Sequence, residues 1–204
     1  MKPDLGYLGE TFEEAGLLQT SHNDVLLQME SKQNPVEDML RKADELIVNQ
    51  KPKAGVYSAM AESLGTAWQE IHRLLECRKS VVDKNFLFRG HLQDYVEKVN
   101  RLKMQVEKAS LSLKNPERSL MRDLKLFKRK MLEASAFALQ EGEGLLQLLH
   151  QTWQETSPGM TPQHVRASIS ASIEQVMTSG TPGKPGLWET PLPLCTIFTI
   201  LLTL

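Results

Sequence analysis

The sequence predicts an all-α protein built from long helices, and three observations carry that prediction. Leu occurs 31 times against 12 aromatic residues in a chain of 204, and Leu, Glu, Lys, Gln and Ala are strong helix formers. Between residues 53 and 157 the single proline is Pro116. From Tyr57 onward, apolar residues recur in alternate steps of three and four without a skip. A β-sandwich would need more Val, Thr and aromatic residues, set in short runs between turns.

Residues 5 to about 31 carry a loose helical stripe of Leu8, Phe12, Ala15, Leu18, Val25, Leu26 and Met29, with His22 on the same face. A boundary is expected at Asn34-Pro35. Asn34 suits an N-cap, Pro35 the first helical position, and Glu37 follows three residues after the cap. The short helix that starts there uses Val36, Ala43 and Leu46 or Ile47, and ends near Asn49.

The strongest signal follows. Its positions include Tyr57, Met60, Leu64, Ala67, Ile71, Leu74, Arg78, Val81, Asn85 and Phe88, and it continues to Leu113. Only Arg78 and Asn85 interrupt its apolar character. A run of this length predicts one nearly continuous helix over 57–113, about 85 Å long at ~1.5 Å per residue. Gly65 and Gly90 weaken it locally.

Asn115-Pro116 ends that rod and opens another helix through Leu120, Leu124, Phe127, Met131, Ala134, Ala138, Leu145 and Trp153, stopping before Ser157-Pro158-Gly159. A last helix runs from Pro162, capped by Thr161, through Val165, Ile169, Ile173 and Val176 to Gly180. Beyond it lies a turn-rich stretch, and from Thr190 no charged side chain occurs. Leu194–Leu204 is apolar but too short for the ~20 residues of a membrane-crossing helix. Residues 181–204 therefore read as an unstructured tail, foreign to the helical pattern, such as an alternative splice end would supply.

The stretch Leu64-Gly65-Thr66-Ala67-Trp68-Gln69-Glu70-Ile71, followed by Leu75-Glu76-Cys77-Arg78-Lys79, resembles the third helix of a spectrin repeat. Leu64, Trp68, Ile71 and Arg78 match that family's pattern residue by residue. The resemblance implies three-helix bundles in tandem sharing one long linking helix, with a first repeat over 5–88 and a second, truncated one over 89–180. It also implies a non-catalytic cytoplasmic scaffold or spacer that binds cytoskeletal or other scaffold proteins at cytoskeletal or centrosomal structures. In that pattern Trp68 is a core residue. Arg78 and Asn85 are expected at the edge of the seam or at the junction between repeats, the alternative being that a buried Asn85 sets register. The short second helix and the short last helix depart from the family. The latter would leave an apolar face uncovered.

No catalytic group stands in a motif that would activate it, so an enzyme is not expected, and no cofactor is implied. The five histidines share no metal-ligand spacing and are expected on helix surfaces, while Cys77 and Cys195 have no paired partner. Glu141-Gly142-Glu143-Gly144 lacks the Lys-Ser/Thr ending of a phosphate loop. The first fourteen residues carry more acid than base and no apolar core, so no secretory signal is expected there. Together with two unpaired cysteines, that suits a reducing compartment.

Charge is more informative. The formal net charge is −1, yet its distribution is uneven. Residues 1–50 hold ten acidic against four basic side chains, whereas residues 97–130 hold eleven Lys and Arg against four acids. The basic segment, and in particular Lys114, Arg118, Arg122, Lys125, Lys128, Arg129 and Lys130, is the candidate docking face. It suits an acidic partner or, as the alternative function, the anionic headgroups of a membrane surface. Nucleic acid is not expected, because aromatic residues are not interleaved for stacking.

Overall fold

In the computed structural model the residues described are 7–49, 51–111, 118–156 and 163–179. Among them are five α-helices, α1 Phe12–Glu30, α2 Gln33–Asn49, α3 Ala54–Leu111, α4 Arg118–Thr156 and α5 Gln163–Ser179, with a 3-10 turn at Lys51–Lys53 and no strand. The long helix expected over 57–113 is unbroken wherever it is described, including Ser80–Arg89, where a loop would have interrupted it. The expected tail over 181–204 lies outside the described residues.

One boundary differs from the sequence reading. Asn34 is not a cap. α2 starts at Gln33, and the Val36 N–H donates to the Lys32 carbonyl at 3.1 Å. Pro35 therefore sits inside the first turn, where a missing N–H forfeits no helical bond. The capping box stands instead at the start of α1. There the Glu14 N–H donates to the Thr11 hydroxyl at 3.1 Å, and the Glu14 carboxylate accepts from the N–H groups of Thr11 and Glu10. Gly9, just ahead, has φ +78°, and a Cβ there would lie 2.8 Å from the Ala15 nitrogen. Only glycine suits that position.

The chain divides into two compact units. The first comprises residues up to Phe86 together with Gln147–Thr161. In it α1 and α2 run antiparallel to α3, as a series of contacts shows. Asn85 donates to the Leu8 carbonyl, the Phe12 and Phe86 rings stack at 4.8 Å, His22 meets Leu75, and Trp68 meets Gln33. The core lies where α1 meets α3, with Ala15, Leu26, Val81 and Val82 buried.

Three expectations change in this unit. His22 is not a surface residue. It is 6% exposed, and its Nε2–H donates to the Leu75 carbonyl at 3.0 Å. Asn85 is not at the seam's edge but 1% exposed. Trp68 is only partly buried, and its Nε1–H donates to Gln33 Oε1 on α2 at 2.9 Å. Toward the N-terminus of α3 one face lies open, with Val56, Met60 and Ile71 between 49% and 65% exposed.

The second unit comprises Leu87–Leu146 and the chain from Pro162. Here α3, α4 and α5 share one core. Tyr95, Leu102 and Val106 come from α3, Leu124, Met131, Ala134 and Ala138 from α4, and Val176 from α5. Phe88, Leu145 and Ile169 are fully buried. Gly142 lets α4 approach closely, since a Cβ there would come within 2.8 Å of both Ile173 and Phe88. The uncovered face expected beside the short last helix is absent from α5's stripe, where Val165, Ile169, Ile173 and Val176 are all buried.

Candidate interaction surface

α4 turns one face inward and the other outward in its first half. Leu124, Met131, Ala134 and Ala138 recur at helical spacing and are buried, which fixes the rotation of the helix. The opposite face then carries Arg122, Lys125, Leu126, Arg129 and Leu132, all exposed. Leu126 and Leu132 are each about half exposed, at 51% and 52%. Basic side chains and two leucines thus share one outward surface within the second unit.

The eleven basic residues of the 97–130 segment do not act alike. On α3, Lys98 forms an ion pair with Asp94, and Arg101 pairs with Glu97 at 3.5 Å, so an adjacent turn offsets their charge. On α4, Arg129 pairs with Glu133 at 2.9 Å. Among the described residues Arg122, Lys125 and Lys130 make no ion pair and stand exposed. Lys128 is partly buried and has an interaction of its own. Lys114 lies outside the described residues, and Arg118 is placed in α4 with no description of its side chain. The basic character of this outward face therefore rests on Arg122 and Lys125, with Arg129 partly neutralised by Glu133.

No group of three or more His, Cys, Asp or Glu side chains among the described residues could hold a metal ion. His22 is the perturbed histidine. Burial pushes its pKa below the usual value, and Arg78 nearby adds to that, while the hydrogen bond to Leu75 and the carboxylates of Asp83 and Glu76 oppose it. Burial also opposes the charge on Asp83. Hydrogen bonds from Gln19 at 2.8 Å and Lys79 at 3.0 Å outweigh that penalty and hold its carboxyl below the ordinary range. These groups brace α1 against α3. Sequence reasoning found the basic stretch but not its division. The i to i+4 spacing of Asp94 with Lys98 and Glu97 with Arg101 was the available signal.

Comparison with known proteins adds a likeness at the scale of the whole segment. The chain is 23% identical over 178 residues to human coiled-coil domain-containing protein 141, a match covering 85% of this chain and 11% of that protein. Against the rat protein of the same name it is 25% identical over 115 residues, covering 56% of this chain and 7% of the relative. The chain thus spans about a tenth of the length of the curated relatives it matches. No family model matches, so the resemblance to spectrin repeats has no such support. No solved structure matches either. What stands is a chain almost entirely helical over its described residues, with a distant likeness to a coiled-coil protein. No described helix is long and apolar enough to cross a membrane.

Proposed function

We propose that this chain is a non-catalytic helical scaffold that spaces and binds other proteins in the cytoplasm, in association with cytoskeletal structures. The observation that supports it most is α3, whose 58 residues form one helix of about 87 Å. A helix that long serves span rather than enclosure of a site. The match to proteins named for their coiled coils agrees with this reading. The proposed docking face is the outward side of α4, where Arg122, Lys125 and Arg129 would meet acidic groups of a partner and Leu126 and Leu132 would supply apolar contact.

A second reading is favoured by the same two leucines. A basic surface with exposed apolar side chains also suits the headgroup layer of an anionic membrane. One experiment separates them. A photo-crosslinking residue placed at Leu126 or Leu132 in cells should yield a discrete protein adduct, lost in the Arg122→Glu/Lys125→Glu/Arg129→Glu variant. Lipid adducts without a protein adduct would transfer the function to membrane binding, and no adduct of either kind would refute this face.

A further inference from the structure

The exposed apolar face near the start of α3 is the uncovered end of an interface that is fully formed farther along the same helix. Stepping by three and four residues from Met60 leads through Ala67, Ile71 and Arg78 to Val81, Asn85 and Phe88. These positions lie along one line of the helix surface. At Val81, Asn85 and Phe88 that line is 5%, 1% and 0% exposed. At Met60 and Ile71 it is 65% and 49% exposed, and Val56 beside it is 60% exposed. Val56, Ala59, Met60, Leu64 and Ala67 line an open groove there. Packing of α2 covers the neighbouring face, through Trp68 and Gln33, and leaves this one bare.

We propose that this groove is a homotypic docking surface, on which the same face of a second copy packs antiparallel about a two-fold axis passing near Ser63. The inference goes beyond the scaffold reading and does not depend on the basic face of α4. Self-complementarity carries the choice of occupant. An antiparallel pairing centred between Ser63 and Leu64 sets Met60 of one copy opposite Ala67 of the other, and Val56 opposite Ile71. The longest side chain of the stripe thus faces its smallest, which is how facing helix positions interdigitate. Ser63, exposed and small, lets the two helices approach at the axis. Met60 adds an unbranched side chain that adapts to an irregular surface.

Size sets the strength. The stripe from Val56 to Ile71 is about 23 Å long, too short for the ~800 Å² that each side of a standard interface buries. The dimer is therefore reversible and concentration-dependent, not permanent. Two copies joined in this way give each hairpin of α2 and α3 the helical neighbours it lacks and form a four-helix arrangement at the join.

Sedimentation of the full chain from about 2 µM to about 500 µM, the span around a Kd between the micromolar and millimolar ranges, should show the mass rising from one copy toward two. Met60→Asp, at an exposed position, should abolish the rise while leaving helicity unchanged. With Cys77→Ser and Cys195→Ser in place, Ser63→Cys should form an inter-copy disulfide at least about tenfold faster than Asp44→Cys on the exposed side of α2. A chain that stays monomeric at every concentration would overturn the proposal and leave the groove to a helix of another protein. Open-ended growth past the dimer, a dimer untouched by Met60→Asp, or equal cross-linking at the two cysteines would overturn it as well.

Discussion

The side-chain amide of Asn85 donates to the backbone carbonyl of Leu8 at 2.5 Å, joining positions 77 residues apart. Leu8 precedes α1, and Asn85 lies in the middle of α3, so this bond ties the entry of the first helix to the long one. Both residues are buried, and a carbonyl left there without a donor would have no water to turn to.

Asn85→Ala should therefore cost about 1–3 kcal/mol in urea unfolding, the penalty of an unsatisfied buried carbonyl plus a small cavity. Asn85→Asp should cost more, because it sets a carboxylate against that carbonyl. If both variants unfold at the wild-type urea midpoint, the bond is not a structural tie.

Stability should fall on mild acidification through His22. Its native pKa lies below the ordinary histidine value, chiefly because of burial. As pH drops below about 6.5 the unfolded chain takes up a proton that the native state refuses. The contribution is thus constant above that pH, declines below it, and levels off once the native pKa is passed. His22→Gln keeps a donor for the Leu75 carbonyl without titrating, and should flatten the change in thermal midpoint between about pH 7 and pH 5. An equally steep decline in this variant would assign the effect to other groups.

Two helical glycines should respond with opposite signs. A Cβ at Gly142 would meet Ile173 and Phe88 at 2.8 Å, whereas one at Gly65 would meet nothing within 4 Å. Gly142→Ala overpacks a junction of three helices at a cost of about 1–3 kcal/mol, which outweighs the ~1 kcal/mol gained in helix propensity. Gly65→Ala keeps that gain. Chemical denaturation of the two variants checks the pair, and a stabilised Gly142→Ala would mean that α5 gives way easily.

Trp68→Ala should cost about 1.5–3 kcal/mol, less than the ~3–5 kcal/mol typical of a fully buried large ring. Trp68→Phe should lose only a few tenths of that, because the bond from Nε1–H to Gln33 is exposed to water. A loss as large as that of a fully buried tryptophan would show that more covers this ring than α2.

Helix type, number and length were legible because they depend on local patterning. The spacing from Tyr57 to Val106 and the absence of proline made α3 readable as one rod, and Pro116 in the sequence marked where a second long helix was expected to begin. Cover was not legible. Met60, Arg78, Asn85 and Phe88 hold equivalent places in one repeating pattern, yet Met60 is open and Asn85 and Phe88 are sealed. The pattern states which face of a helix is apolar but not whether another helix lies against it.

Residue pairing depended on the same missing information. His22 read as a surface residue because nothing in its neighbourhood in sequence names Leu75, 53 positions away, as its acceptor. Gly142 drew notice in the sequence only within Glu141-Gly142-Glu143-Gly144, set aside as a phosphate loop, although its role is set by Phe88 and Ile173 on two other helices. The basic count over 97–130 was visible as a sum, and the i to i+4 spacing hinted at the pairs, while side-chain geometry decided that Lys98, Arg101 and Arg129 are matched and Arg122 and Lys125 stand open. The sequence by itself determined the helical character of the described residues, the long central rod and the charge asymmetry, since these follow from steric preference, spacing and composition along the backbone. Tertiary structure alone decided which apolar faces are buried and which polar groups are satisfied, because both depend on contacts between residues that the chain places far apart.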